Sequence, residues 1–576
     1  MKSKTKAALA GPAAILLGLL SACNPAPKYA RPPAAAPQAF KEAVPQDYKE
    51  GQGWKIAIPQ DEKIRGKWWE MYNDPQLSAL EEQVQVSNQS LKTTEANFRS
   101  ARALIAYARS GLFPTLTSNP AYTNSRTSAT SRTFVVGGGA TTTTSGGTTN
   151  GGTTGGGTTT GGTTGGTTNG GSGTGSTTGG TVSSLASPIN TFSLPFDISY
   201  TVDLWHRVRN TVLVDAYQAQ ASAADIATSL LSLQSELAQN YFQIRALDAQ
   251  RRILTETVEN YRQTLDLTQI RFRGGIASDE DVSQAQTQVD TAIASQTDVG
   301  VLRAQYEHAI AVLIGKPAAN FELPAGEFVP HPPPVPVAVP SELLQRRPDI
   351  AAAERQVAAA NTQIGVVKAA YYPSLALSAS GGFNTSHFTE WFTWPSRFWS
   401  LGPTLSQTLL DGGARRAQVA QAQASYEGTV ATYRQTVLTS FQAVEDQLAA
   451  LRILSQEIGE QHTAVASANH YLDLSLIRYR GGVDSFLTVI TAQTAVLTSR
   501  EAEVQVSLRL MTASVALVLA LGGGWNSSQL PTVQQLTTNS KASSSGTPAM
   551  DTTKQPVAAP NPPPLPQRAA PANPSR

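Results

Sequence analysis

The stretch Arg271-Phe-Arg-Gly-Gly-Ile-Ala-Ser278 returns 207 residues later as Arg478-Tyr-Arg-Gly-Gly-Val-Asp-Ser485. A chain that carries one turn twice is built from two copies of one plan. Each copy closes a proline-free segment rich in Ala, Gln, Leu and Arg, about 206–273 and about 413–480, which reads as helix. At 1.5 Å per residue such a helix runs roughly 100 Å, several times the diameter of an ordinary domain. The helical pattern resumes after each glycine pair, so Gly274-Gly275 and Gly481-Gly482 are reversal points between antiparallel helices. The local chemistry agrees: Arg271, Arg273, Arg478 and Arg480 fall in last helical turns, where cations favour the dipole, and a glycine supplies the left-handed exit. Ser278 is placed to cap the next helix, with Asp279, Glu280 and Asp281 complementing its N-terminus. Along the long helices Leu230, Leu233, Leu237, Tyr241, Ile244 and Leu247, and in the other copy Val437, Phe441, Val444, Leu448 and Leu451, keep the spacings of 3 and 4 of a coiled-coil seam.

The first residues set the destination. Lys2, Lys4 and Lys6 precede an apolar run from Ala7 to Leu20, too short to span a bilayer, which reads as a secretory signal. The single cysteine, Cys23, ends that run within Leu20-Ser-Ala-Cys23, which resembles a bacterial lipobox and implies cleavage before Cys23 and acylation of its thiol and amino group. By the same analogy Asn24, rather than Asp, favours the outer membrane. One cysteine excludes an internal disulfide or a multi-cysteine metal site. A net charge of +2 over 576 residues points to no nucleic-acid partner.

In chain order, 1–22 is read as signal peptide and 23–65 as a Pro/Ala-rich tether, followed by a helix from about 76 to 111 that starts at Pro75. The first repeat occupies 66–315, with strands near 113–124 and 190–204. In the second of these, Phe196, Ile198, Tyr200, Val202 and Leu204 alternate with Asp197, Ser199, Thr201 and Asp203. Alternation alone suits a soluble sheet or a lipid-facing barrel wall; the outer-membrane signal favours the barrel. Residues 125–189 form a Gly/Thr-rich loop, expected to be mobile and extracellular. A connecting segment, 316–348, leads to the second repeat, 349–524, with strands near 372–384 and 397–410. The loop between these carries Trp391, Phe392, Trp394, Phe398 and Trp399, suited to an aromatic girdle. Residues 525–576, rich in Ser, Thr, Pro and Ala, read as a disordered tail.

No mature stretch reads as a membrane-spanning helix, so strands must span. Four strands per chain cannot close, and open edges are not tolerated in lipid. Two chains would give eight strands, filled by side chains, and three would give twelve, leaving a lumen. The six histidines, His206, His308, His331, His387, His462 and His470, show no metal-ligand spacing, and no phosphate loop or nucleophile elbow is present, which argues against an enzyme. A pore-less coiled-coil lipoprotein stays open as an alternative.

Further motifs carry a family resemblance: Pro340-Ser-Glu-Leu-Leu-Gln-Arg-Arg-Pro-Asp-Ile350, Ala353-Glu354, Ala359-Ala-Asn361, Tyr372-Pro373, Tyr200-Thr-Val-Asp-Leu-Trp205 and both Arg-Gly-Gly turns. Over roughly 60–525 the chain resembles the TolC/OprM-type outer-membrane efflux family, in its lipoprotein branch. The resemblance implies a membrane α+β fold: a homotrimeric 12-stranded barrel, four strands per chain, on a long α-helical coiled-coil periplasmic tunnel. It implies docking of a periplasmic adaptor at the tips around Arg271, Arg273, Gly274, Gly275, Arg478, Arg480, Gly481 and Gly482, and service to an inner-membrane RND-type pump. It implies no cofactor beyond the lipid on Cys23, and outer-membrane lipid as a partner. A periplasmic constriction would involve Tyr479, Asp484, Leu487, Thr491 and Thr494. Here the chain departs from its relatives, which more often carry Asp at the position of Thr491 and Arg or another polar residue at that of Thr494. Closure is then expected to rest on Leu487 packing with Asp484 and Tyr479 contacts. Efflux of small molecules and a type I protein-secretion duct both fit such a channel.

Overall fold

The computed structural model describes residues 24–34, 37, 40–42, 67–126, 188–333 and 344–538. Cys23 with the expected signal peptide, nearly all of the Gly/Thr-rich loop and the chain beyond 538 lie outside the described residues. Two compact units divide the chain. One comprises residues up to 113, 203–374 and 406 onward; the other comprises 114–202 and 375–405.

The first unit is helical. Its elements are α1 (Pro75–Ser87), α2 (Gln89–Ser110), α3 (Arg207–Arg273), α4 (Asp279–Leu313), α5 (Pro348–Lys368), α6 (Ala414–Arg480), α7 (Phe486–Ala520) and α8 (Val533–Thr538). The two long helices start and stop where the sequence places them. The expected single helix over 76–111 is instead two. Asn88 takes an extended conformation, its side chain accepting from the Leu91 amide and donating to the Leu313 carbonyl at 2.8 Å, so the break joins α1–α2 to the end of α4. The seam is the core: Leu237, Tyr241, Ile244 and Leu247 of α3 and Val437, Phe441, Val444, Leu448 and Leu451 of α6 are all buried. Pro348 opens α5, and Arg347 ties its first turn by bonding Asp349 and the Ala520 carbonyl. Trp205 stacks on Tyr372 at 4.6 Å and donates to the Pro373 carbonyl, which brings together two motifs from different repeats.

Three further expectations change in this unit. The tail is ordered through 538: α8 buries Leu536 against Ile105 and Val212, and Gln220 donates to the Pro531 carbonyl. The described part of the tether is held along helices rather than free, through bonds from Tyr29 to Glu354 and from Asn361 to the Pro27 carbonyl. Finally, α7 is long and apolar enough by length and composition to cross a membrane, although 56% of its most apolar window is buried. Its Met511, Val515, Leu517 and Val518 are core residues, which is why the helix is so apolar.

The second unit is an antiparallel sheet of β1 (Thr115–Ser118), β2 (Ala121–Ser125), β3 (Ile189–Val202), β4 (Ser374–Thr385) and β5 (Arg397–Ser406). The strand expected near 113–124 is interrupted at Asn119-Pro120, since proline cannot donate to a ladder. Its halves, β1 and β2, both pair with β3, with Leu116 opposite Ile198 and Tyr122 opposite Phe192. In turn β3 pairs with β4, with Ser199 opposite Ser378. The sheet therefore has four strand positions. Phe196 and Ile198 stand exposed, while Asp197 accepts from Ser380 at 2.6 Å. Contrary to the alternation, β3 stops at Val202. Asp203 precedes the next helix, and its carboxylate accepts from the Val208 and Arg209 amides of the first turn of α3. Of the aromatic residues expected in the loop, Trp391 is half-buried and packs on Phe192 and Phe388, Phe392 and Trp394 are exposed, and Phe398, half-buried, and Trp399, exposed, belong to β5.

Candidate functional site: the paired hairpin tips

Both glycine pairs end their helices in the same way. Gly275 and Gly482 carry φ of +71° and +74°, and the space around each is open, so backbone conformation rather than crowding demands glycine. The Ile276 amide donates back to the Arg271 carbonyl at 2.9 Å and that of Val483 to the Arg478 carbonyl at 3.0 Å, closing the Schellman pattern in each copy.

Beyond that frame the copies differ. In the first hairpin Ser278 and Asp281 form a reciprocal capping box, at 3.0 and 3.1 Å. The second has Thr488 where the first has Asp281, and Ser485 makes no side-chain cap bond. Its turn is closed instead by Arg478 and Asp484, paired bidentately at 2.8 and 2.9 Å. The Arg478 hydrogen bonds hold the Asp484 carboxyl below the usual carboxylate range. A depressed carboxyl keeps its pair at neutral pH and loses it only in acid, as pH falls through the folded-state value.

Arg271 has no such local partner, because Ala277 stands where the second copy has Asp484. It reaches across to the other hairpin, lies over the Tyr479 ring at 4.3 Å and donates to the Tyr479 carbonyl. Tyr479 is buried, packs on Phe486, and places its hydroxyl 3.3 Å from that of Thr268. Gln493 donates to Thr264 at 2.9 Å. Val258, Tyr261, Leu265, Ala285, Val289 and Val489 complete one apolar core shared by both hairpins.

The expected constriction residues therefore separate into two sets. Tyr479 and Asp484 are engaged within the chain. Leu487, Thr491 and Thr494 are exposed and follow one another at spacings of 4 and 3 on one face of α7, which Thr498 extends. The Thr491 hydroxyl donates back to the Leu487 carbonyl at 2.9 Å, leaving the face uncharged. Arg273, Arg480 and the glycines are exposed at the tips beside Ile276 and Val483, which are 70% and 68% exposed. Sequence reasoning missed the Arg271–Tyr479 clamp; its only signal was the alanine at 277.

The family described as Outer membrane efflux protein matches residues 80–316 and 339–523, and the chain belongs to that family. Among curated relatives, the probable efflux pump outer membrane protein TtgC of Pseudomonas putida is 28% identical over 520 residues, covering 89% of this chain and 95% of its own length. The solvent efflux pump outer membrane protein SrpC of the same species is 32% identical over 335 residues, covering 58% and 71%. Among solved structures, the CmeC outer membrane channel of Campylobacter jejuni superposes with a TM-score of 0.70 at 18% identity, covering 88% of this chain and 96% of its own. The outer-membrane channel OprN gives 0.68 at 24%, covering 87% and 99%. The protein is thus an efflux protein of the outer membrane.

Proposed function

We propose that three copies close a 12-stranded barrel with an α-helical coiled-coil tunnel, that the paired tips dock a periplasmic adaptor serving an inner-membrane RND-type pump, and that Cys23 carries the lipid. The observation that supports the trimer is the sheet edge. Among the described residues β1 and β2 pair only with β3, and β5 only with β4, so each chain offers two open edges that lipid would not tolerate. Twelve strands also leave an open lumen, as a conduit needs. Small toxic molecules are the favoured cargo over a secreted protein, because relatives are named for export of solvent and toluene.

In this reading the exposed face of Leu487, Thr491 and Thr494 lines the periplasmic constriction, and Leu487 narrows it. A ring of threonines carries dipoles but no charge, so it concentrates cations far less than a ring of carboxylates. Thr491→Asp is therefore expected to raise the cation-to-anion permeability ratio several-fold, read as a shift of reversal potential in a salt gradient across a planar bilayer. An unchanged reversal potential in a conducting variant would remove Thr491 from the constriction.

A further inference from the structure

The first described residues of the chain lie in a groove that the duplicated plan does not explain. Asn24 exchanges two side-chain amide bonds with Asn210, at 3.0 and 3.4 Å, and Asn210 is only 1% exposed. A Cβ on Gly365 would meet the Ala26 Cβ at 2.3 Å and its Cα at 2.7 Å, so the groove floor is shaped by the missing side chain. Asn361 donates to the Pro27 carbonyl at 3.0 Å, Tyr29 donates to the buried Glu354 carboxylate at 2.5 Å, and Arg31 donates to the Tyr433 hydroxyl at 3.2 Å. Further on, the Lys41 and Glu42 amides both donate to the Glu445 carboxylate, and Glu42 pairs with Arg452. Asn210 and Gly365, which hold the first described residues, have no counterpart in the other copy. At the repeat offset of 207 the position of Asn210 holds Ala417; Ala101–Leu116 aligns without gaps on Ala360–Leu375, an offset of 259, which sets Ala106 at the position of Gly365, and both alanines are exposed.

From this we propose that Asn210, Gly365, Asn361, Glu354 and Tyr433 form a binding groove dedicated to the chain's own mature N-terminal segment. The groove reads Asn24, Ala26 and Tyr29 in turn and fixes the residue after Cys23 against the first turn of α3. The proposal rests, for the identity of the first mature residue, on the lipoprotein reading above. Its consequence is that the anchor is held at a set place on the helical unit and does not swing on a free tether. It also gives Asn24 a second role: aspartate there would set a carboxylate against the Asn210 carbonyl oxygen and lose one of the two amide bonds.

The test uses the full lipidated chain purified from membranes and follows tryptic cleavage after Lys28 and Lys41 by mass spectrometry, alongside Gly365→Ala and Asn24→Ala. Gly365→Ala favours helix α5 by propensity, and Asn24→Ala leaves every helix untouched, so both variants fold. Slow cleavage in the wild-type chain and at least tenfold faster cleavage after Lys28 in both variants is the expected result. Equal rates in all three chains, whether fast or slow, overturn the groove. An unmodified Cys23 peptide in the same spectra would count against the lipoprotein reading and leave the Lys28 comparison standing.

Discussion

Replacing Asp248 with alanine is expected to destabilise the helical unit by about 3–5 kcal/mol, the range for breaking a buried charge network from one side. Asp248 is 5% exposed and accepts from Arg245 at 3.3 Å, from Arg303 at 2.8 Å and from the Gly326 amide at 3.1 Å. Arg245 in turn donates to the Pro324 carbonyl at 2.9 Å and lies 4.7 Å over the Tyr241 ring, while Arg303 bonds Glu307 and the Leu323 carbonyl. These carbonyls belong to the segment after α4, so the network straps that segment onto α3 and α4. Alanine would leave two guanidinium groups, 4% and 15% exposed, without their shared carboxylate and would orphan the Gly326 amide. Guanidinium unfolding followed by helical circular dichroism checks this; a loss below about 1 kcal/mol would show that Glu307 and the carbonyls suffice.

Glu81→Gln is expected to remove a pH dependence and to stabilise the chain above neutrality. Glu81 sits on the buried face of α1 with Leu77, Leu80 and Val84, is fully buried, and neither carboxyl oxygen has a hydrogen-bond partner among the described residues. Burial disfavours its charged form and pushes it up from 4.5 to about 9. The unfolded chain releases this proton near 4.5 and the folded chain holds it until about 9, so stability falls as pH rises between those values. At about 1.4 kcal/mol per pH unit, the loss by pH 7.5 is about 4 kcal/mol. Glutamine, always neutral, does not titrate. Thermal midpoints of wild type and Glu81→Gln should therefore diverge from pH 5 to pH 8, with the wild type falling further. Parallel profiles would mean that Glu81 is solvated or paired in the folded protein.

Much of this architecture was legible because it is written in local chemistry. Arg-Gly-Gly with a following serine specifies a helix stop, a left-handed turn and a restart, and the boundaries of α3 and α6 fall within a residue of the expected ones. The seam residues announce themselves by spacing. What escaped was decided by tertiary partners. Asn88 looks like an ordinary helix residue until the Leu313 carbonyl offers its side chain a bond. Asp203 continues an alternation, yet its carboxylate is worth more capping α3. Residues 527–538 are polar in composition, but one leucine, Leu536, finds a prepared apolar site between α2 and α3. At the tips, the glycines and arginines were readable, whereas the burial of Tyr479 under Arg271 depends on how the two hairpins pack.

A continuous duct narrowed by an uncharged face of α7 is the reading proposed for this protein. Single-channel recording of the protein purified from membranes, in a planar bilayer with reversal potential read in a salt gradient, tests it most directly. The expected result is a small, steady conductance with weak cation selectivity, as a threonine-lined constriction gives. Electrical silence from protein shown to be inserted would contradict it.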